Sequence, residues 1–172
     1  MVVVREIDPP EEFEPVDWIL YTSLPVDSAE QIEAIVDHYR GRWLIEEFNK
    51  ALKTGCSLES RQLESLDSLL TLTAILIPIA CQSLALRAAD RVQPEAPAST
   101  VITDRQVIIL RSLVHLKVPE APTVHDALLA VARLGGHLRH NGPPGWLVLA
   151  RGLRKLLLLE QGWLAREGCD QS

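Results

Sequence analysis

A run of eighteen uncharged residues, Leu69–Leu86, constrains the fold of this chain more than any other part of the sequence. A segment this apolar must be covered either by lipid or by the rest of a protein core. Thr71, Pro78 and Gln82 interrupt the run, which favours a buried helix over a membrane span. The chain has 172 residues, 47% of them hydrophobic, and can bury such a helix without disulfide bonds. We therefore expect a mainly α protein with no membrane span.

Two short segments rich in β-branched and aromatic residues, Val2–Ile7 and Trp18–Ser23, are predicted as neighbouring strands. A strand pair alone is marginally stable, so the pair is expected to belong to a larger sheet whose other strands lie upstream. Capping patterns, glycines and prolines divide the remainder into helices. The predicted helices are Ser28–Thr54, Leu66–Arg91 with a kink at Pro78, Thr103–His115, Thr123–Leu134 and Trp146–Arg166.

The first predicted helix carries four polar residues at spacings of three, four and seven: Tyr39, Arg42, Glu46 and Lys53. On an ideal helix at about 100° per residue, the last three fall within roughly 60° of the first, over about 21 Å of axis. The opposite side is expected to be buried, and its apolar residues are Leu44, Ile45, Phe48 and Leu52. A phenol, two cations and one carboxylate would thus face outward together. Taken alone, Arg42 and Glu46 also fit an ordinary surface ion pair.

The four polar residues match, in order and spacing, the Y-x2-R-x3-E-x6-K motif of bacterial cut-and-paste transposases. The chain resembles the Tn-five-like branch of insertion-sequence family four, whose members are DDE-type transposases. The likeness covers most of the chain and is weakest over residues 92–122, from which no positions are transferred. The segments that carry it are Trp18–Val26, Arg42–Phe48, Lys50–Gly55 and Ala132–Gly136.

The resemblance implies a chemistry for this motif. Phosphodiester cleavage and strand transfer are best served by two divalent ions held by a set of carboxylates, which in these enzymes are Asp, Asp and Glu. Glu46 would be the third carboxylate, both catalytic and metal-binding, and the two Asp residues would lie on upstream strands absent from this sequence. The complete enzyme would use Mg²⁺ or Mn²⁺. This chain alone is expected to bind neither ion and to be inactive by itself.

The resemblance also implies contacts with transposon-end DNA. Tyr39, Arg42 and Lys53 would bind phosphates through a hydroxyl, a planar guanidinium and a point charge. Lys50 lies at a similar helical angle and would join them. Trp18 would stack on a base turned out of the duplex while a hairpin forms at the transposon end. Simple packing of Trp18 within its strand is the alternative.

Over the whole chain, the resemblance implies the C-terminal remnant of a ribonuclease-H-like catalytic domain followed by a helical dimerisation domain. Residues 1–27 would supply end strands of the catalytic sheet, 28–92 the motif helix and the kinked second helix, 93–102 a linker, and 103–172 the dimerisation region. That last region carries more apolar residues than one helix face can bury, and a self-contained bundle is the alternative to a subunit contact. Its basic residues include Arg133, Arg139, Arg151, Arg154 and Lys155.

The net charge of −6 is unevenly distributed along the chain. Residues 1–37 hold ten acids and Arg5, which gives −9, whereas residues 38–172 hold thirteen acids and sixteen lysines or arginines, which gives +3. Local potential, more than total charge, governs the approach of phosphates. A DNA path is therefore expected along the later segments, including the motif.

Cys56, Cys81 and Cys169 form no C-x2-C pair, which favours reduced thiols over zinc ligands or disulfides. The first eight residues include acids and no long apolar core, so a secretion signal is not expected. These features predict a cytoplasmic protein, and the resemblance adds a bacterial, nucleoid-associated one. Three histidines lack partners at metal-ligand spacing and are interpreted as surface or structural residues: His125, His137 and His140.

Three functional hypotheses follow from the sequence. In the first, the chain is the C-terminal part of a transposase that binds transposon-end DNA and cannot cleave it alone. In the second, it is a non-catalytic truncated transposase that forms homodimers, or heterodimers with the full-length enzyme, and inhibits transposition; a decayed genomic remnant is the related possibility. In the third, it is an unrelated helical protein in which the motif arises by chance.

Overall fold

The computed structural model describes the backbone of residues 1–12 and 14–169, and side chains up to Arg166. Strands β1 (Val2–Arg5) and β2 (Asp17–Leu20) form an antiparallel pair that joins Val2 to Leu20 and Val4 to Trp18. The helices are α1 (Ala29–Arg40), α2 (Arg42–Lys50), α3 (Leu66–Val92), α4 (Asp104–Ser112), α5 (Val124–Leu134) and α6 (Trp146–Cys169). The prediction of a mainly α chain with an N-terminal strand pair is confirmed.

The chain forms two compact units, a first unit of residues 1–46 and a second unit of residues 47–172. The first unit contains the strand pair, α1 and the start of α2. Its small core consists of Val2, Leu20 and Ile35, with Val4, Trp18 and Val36 packed around them. The domain boundaries expected at residues 27, 92 and 102 stay predictions.

The second unit is built on the packing of α5 against α6, with α3 and α4 around them. A Cβ atom on Gly135 would lie 1.8 Å from the carbonyl oxygen of Val148, and one on Gly152 would lie 1.9 Å from that of Val131. Only glycine fits at these two positions, because the backbones of α5 and α6 approach so closely. The largest fully buried side chains of this unit include Leu86, Leu110, Leu116, Leu149, Leu153 and Leu156.

The first predicted helix is interrupted, so the prediction of one continuous helix from Ser28 to Thr54 is wrong. The Ser28 Oγ caps α1 by accepting from the Gln31 N–H at 3.3 Å, as expected. The helix ends at Arg40. The Leu44 N–H then donates to the carbonyl of Gly41, three residues earlier, at 3.0 Å, which is the hydrogen-bond pattern of a 3₁₀ turn. Gly41 has poor helix propensity, which favours a break there. After α2, the chain forms a π-helical turn, Ala51–Gly55.

Helix α3 matches the predicted second helix and contains Pro78. The buried face of α3 contains Leu76, Ile79 and Leu86. Leu70 and Ile75 remain more than half exposed. By length and composition α3 could also cross a membrane, a test that core helices of soluble proteins pass as well. Only 28% of the most apolar segment of α3 is buried, so the predicted burial is confirmed for one face of the helix.

The later helices begin at the caps that the sequence predicts. Thr103 and Thr123 each form a complete capping box, with Gln106 and Asp126 as the reciprocal partners. Helix α4 ends at Ser112, earlier than the predicted His115, and is followed by a 3₁₀ turn, Val114–Leu116. Other three-residue 3₁₀ turns occur at Leu58–Ser60, Ala98–Thr100 and Arg139–Asn141.

Candidate nucleic-acid interface

Three motif residues come together on the surface of the first unit. Arg42 Nη1 lies 2.6 Å from Glu46 Oε1, and the two side chains are 47% and 35% exposed. The Arg42 guanidinium carbon lies 5.8 Å from the centre of the Tyr39 ring, within cation–π range. Tyr39 lies in the last turn of α1 and Arg42 begins α2, so the break at Gly41 does not separate them. A phenol, a guanidinium and a carboxylate are therefore adjacent, as the spacing predicted.

Aromatic rings surround the Arg42 side chain. Trp18 meets Tyr39 in a T-shaped contact, with ring centres 4.8 Å apart. On the α2 side, the Arg42 guanidinium carbon lies 5.3 Å from the centre of the Trp43 ring. Sequence reasoning missed Trp43 as a partner, although its position next to Arg42 was the available signal. Contacts with two rings and a carboxylate orient the guanidinium before any ligand arrives.

The ion pair favours the charged form of Arg42. The hydrogen bond to Glu46, and then the negative charge of that carboxylate, raise the pKa of Arg42 above its usual value. Tyr39 adds a smaller effect in the same direction. The pair is exposed to solvent, so its contribution to folding stability is small. Its effect is on the direction of the guanidinium, which is charged with or without the pair.

Lys50 and Lys53 belong to the second unit and are described with their own neighbours. Lys50 is exposed at the end of α2. Lys53 lies in the π-helical turn, where its Nζ is 3.0 Å from Glu59 Oε1. Because a π turn has more residues per turn than an α-helix, the ideal angle predicted for Lys53 does not apply.

The apolar face predicted for the motif helix is only partly buried. Leu44 and Ile45 are 56% and 55% exposed, so their predicted burial is wrong. The core of the first unit consists of the strand pair and α1 and does not extend over this turn of α2. Phe48 and Leu52 do pack, as parts of the core of the second unit.

A groove of about 590 Å³ opens beside Tyr39 and Arg42 in the first unit. Its other walls include Tyr21, His38 and Gly41. Tyr21 is 84% exposed, so its ring is free to meet a ligand. The groove combines a cation with aromatic rings, a combination typical of single-strand and base contacts.

The residues at this site do not by themselves fit a divalent metal ion. Mg²⁺ requires near-octahedral oxygen coordination. Within residues 1–12 and 14–166, no group of three His, Cys, Asp or Glu side chains is positioned to hold a metal. Glu46 is a single carboxylate, and it is already hydrogen-bonded to Arg42. Metal chemistry at Glu46 therefore requires carboxylates other than those gathered here.

The three histidines have different environments. His125 Nδ1 lies 2.8 Å from Asp90 Oδ1. His137 is 9% exposed, and His140 is exposed.

No known family model matches this chain.

Proposed function

We propose that this chain is the C-terminal part of a DDE transposase that binds transposon-end DNA and contributes Glu46 as the third catalytic carboxylate. The proposal includes a remnant of a ribonuclease-H-like domain, Mg²⁺ or Mn²⁺ in the complete enzyme, and action in the bacterial cytoplasm at the nucleoid. The observation that carries it is the position of Arg42, which lies beside Tyr39 and 2.6 Å from Glu46 on an exposed surface.

The geometry of Arg42 suits a phosphate ligand. A guanidinium has five N–H groups, and the hydrogen bond with Glu46 uses one of them. The remaining groups can grip phosphate oxygens in a planar fork, and the nearby Tyr39 hydroxyl can add another hydrogen bond. The proposal also includes Lys50, which is exposed at the end of α2 in the second unit, as a DNA ligand.

Trp18 and Glu46 complete the proposed site. Trp18 is half-buried against the core of the first unit and touches Tyr39, so strand packing accounts for part of its position. Its exposed portion is available to stack on a base turned out of a duplex. Glu46 holds Arg42 in place in this chain, and its metal-binding role belongs to an enzyme that supplies two further carboxylates.

Binding to DNA tests the proposal, with fluorescence anisotropy of a labelled mixed-sequence duplex at several salt concentrations. Arg42→Gln should weaken binding and reduce the slope of log affinity against log salt by about 0.9, because one phosphate contact is lost. Arg40→Gln is the matched control, since Arg40 is two residues away and also pairs with a carboxylate, Asp37 at 3.4 Å. Equal losses for both variants, or no binding by the parent chain, would contradict the proposal.

Cleavage assays test the assignment of Glu46. The purified chain should leave duplex DNA intact in the presence of Mg²⁺, because a single carboxylate cannot hold two metal ions. Cleavage that persists in a Glu46→Ala variant would show that the catalytic acid lies elsewhere.

A second candidate function is a dimerising inhibitor of the full-length enzyme. A groove of about 370 Å³ between α3 and α6 has Ile75 and Leu158 in its walls, and these side chains are 59% and 66% exposed. Apolar surface of this kind marks sites of protein association. Coexpression with an active transposase of the same type should give co-purification and lower transposition. Unchanged transposition without co-purification would remove this candidate.

A further inference from the structure

The second unit contains a cationic cleft of about 450 Å³ that the proposed DNA site does not use. Helices α3 and α5 and the turn after Arg139 form its walls. Its basic lining residues are Arg87, Arg91, Arg133, Arg139, His125 and His137. Asp90 is the one carboxylate among its lining residues, and Glu47 pairs with Arg91 beside them, so the four arginines exceed these acids by two. We propose that this cleft binds a nucleoside phosphate, either free or as one unit of a single strand.

The arginines are held in place by contacts that leave donors unused. Arg133 Nη1 donates to the Leu116 carbonyl at 2.9 Å. Arg91 makes two hydrogen bonds to the Glu47 carboxylate, at 2.9 and 3.2 Å. Each guanidinium therefore keeps further N–H groups for a ligand. Side chains ordered in advance lose less conformational entropy on binding, which favours affinity.

Arg87 packs against an aromatic ring. Its guanidinium carbon lies 4.4 Å from the centre of the Trp146 ring, and the side chain is half-buried. Burial, and then the positive charge of Arg91, lower the pKa of Arg87, while Glu47 and Asp90 act in the opposite direction. Asp90 is engaged with His125 at 2.8 Å, and Glu47 with Arg91. An anion in the cleft would offset the repulsion between Arg87 and Arg91.

The size and the remaining walls of the cleft favour a nucleotide over a bare phosphate. A volume of about 450 Å³ lies in the usual range for small-molecule sites and exceeds the needs of a single phosphate group. Leu128, Leu129, Pro143 and Pro144 provide an apolar wall. Arginines match the phosphate in charge and geometry, and the apolar wall offers a surface for a base or a sugar.

Sequence reasoning missed this cleft, although part of its pattern was visible. Arg87 and Arg91 are four residues apart and share a helix face, as do His125 and Arg133 eight residues apart. The two faces lie far apart along the chain. Only the packing of α3 and α5 brings them to one cavity, which local spacing does not predict.

Isothermal titration calorimetry tests the proposal on the intact chain, with pyrophosphate, adenosine diphosphate and a short single-stranded oligonucleotide as separate probes. Adenosine diphosphate or the oligonucleotide should bind more tightly than pyrophosphate, since only these reach the apolar wall. A free nucleotide is the ligand if the diphosphate binds best, and a strand is the ligand if the oligonucleotide does. Absence of binding by both nucleotide probes, or equal affinity of all three, would overturn the proposal.

Arg139→Gln is the first variant to measure, because Arg139 is exposed and makes no ion pair with any described residue. It should weaken nucleotide binding by about tenfold, as expected for the loss of a charged hydrogen bond. Arg87→Gln should do the same, and a thermal unfolding curve will show that it remains folded. Arg111→Gln, an exposed arginine on α4 outside the cleft, should leave the affinity unchanged. Unchanged affinity in both cleft variants would overturn the proposal. The duplex-DNA test with Arg42→Gln concerns a different site, so its result does not depend on nucleotide binding in this cleft.

Discussion

Arg42 shows how far a single residue could be understood from the sequence. Its pairing with Glu46 followed from the four-residue spacing, because such side chains are neighbours on a helix. Its contact with Trp43 did not follow, since it depends on ring orientation. Local spacing thus predicted the ion pair, and the packing of α1 against the strand pair decides where the Tyr39 ring lies.

The cysteines give a prediction at the same scale. Cys56 is 1% exposed, and burial raises the pKa of its thiol, with a smaller opposing effect from Arg154. The folded protein therefore favours the thiol form. Stability from this group is fully present below the thiol pKa of the unfolded chain and is lost as the pH rises through the higher folded value.

In a Cys169→Ser background, we expect a thiol-reactive chromophore to modify the exposed Cys81 quickly at mildly alkaline pH. Cys56 should react only on unfolding, because it is buried and its thiolate is disfavoured. The time course of absorbance measures both reactions. Adding Cys81→Ser should abolish the fast phase. A fast phase that survives in that double variant would mean that Cys56 is accessible.

At the scale of elements, the sequence predicted the starts of helices well, but it did not predict which side chains of a helix are buried. Thr103 caps its helix as expected, because a capping box is complete within four residues. The exposed Leu44 and Ile45 had the right periodicity for a buried face. Periodicity shows which side chains share a face, and burial requires a partner surface that the sequence pattern does not contain.

The approach of α5 to α6 gives a prediction for two glycines of one helix. Gly152→Ala should lower the free energy of unfolding by about 2 kcal/mol or more, because the new Cβ would collide with the Val131 carbonyl. Gly162→Ala should instead raise it by about 0.5 to 1 kcal/mol, since nothing lies within 4 Å of that position and alanine favours helix. Urea denaturation followed by circular dichroism measures both. Equal effects would refute the close contact.

For the whole molecule, the charges of the two units differ from the charge distribution expected along the sequence. The first unit holds eleven acids and three arginines, a charge of −8, and the second holds twelve acids and fourteen lysines or arginines, a charge of +2. Tyr39, Arg42 and Glu46 therefore lie on the acidic unit, although sequence segments had placed the motif in a basic region. The proposed DNA contact would therefore depend on local cations such as Arg42, and we expect it to weaken with salt.

Self-association is a second property of the whole molecule. Leu158→Glu should shift the chain toward the monomer in light scattering after gel filtration, because it places a charge in the apolar groove between α3 and α6. Ile108→Glu is the matched control, since Ile108 is 51% exposed on α4 and lies outside that groove. A parent chain that stays monomeric at all concentrations would exclude this groove as a dimer contact.

The central claim is that Arg42 is a phosphate ligand held by Glu46, and the affinity of a Glu46→Gln variant for duplex DNA in metal-free buffer tests it most directly. Asp37→Asn is the matched control, because it also frees an arginine, Arg40, from an exposed ion pair in the same unit. We predict that Glu46→Gln binds duplex DNA about two- to fivefold more tightly than the parent chain, since the variant removes a negative charge that repels the phosphate. Asp37→Asn should change little. Equal gains in both variants, or weaker binding by Glu46→Gln, would contradict the claim.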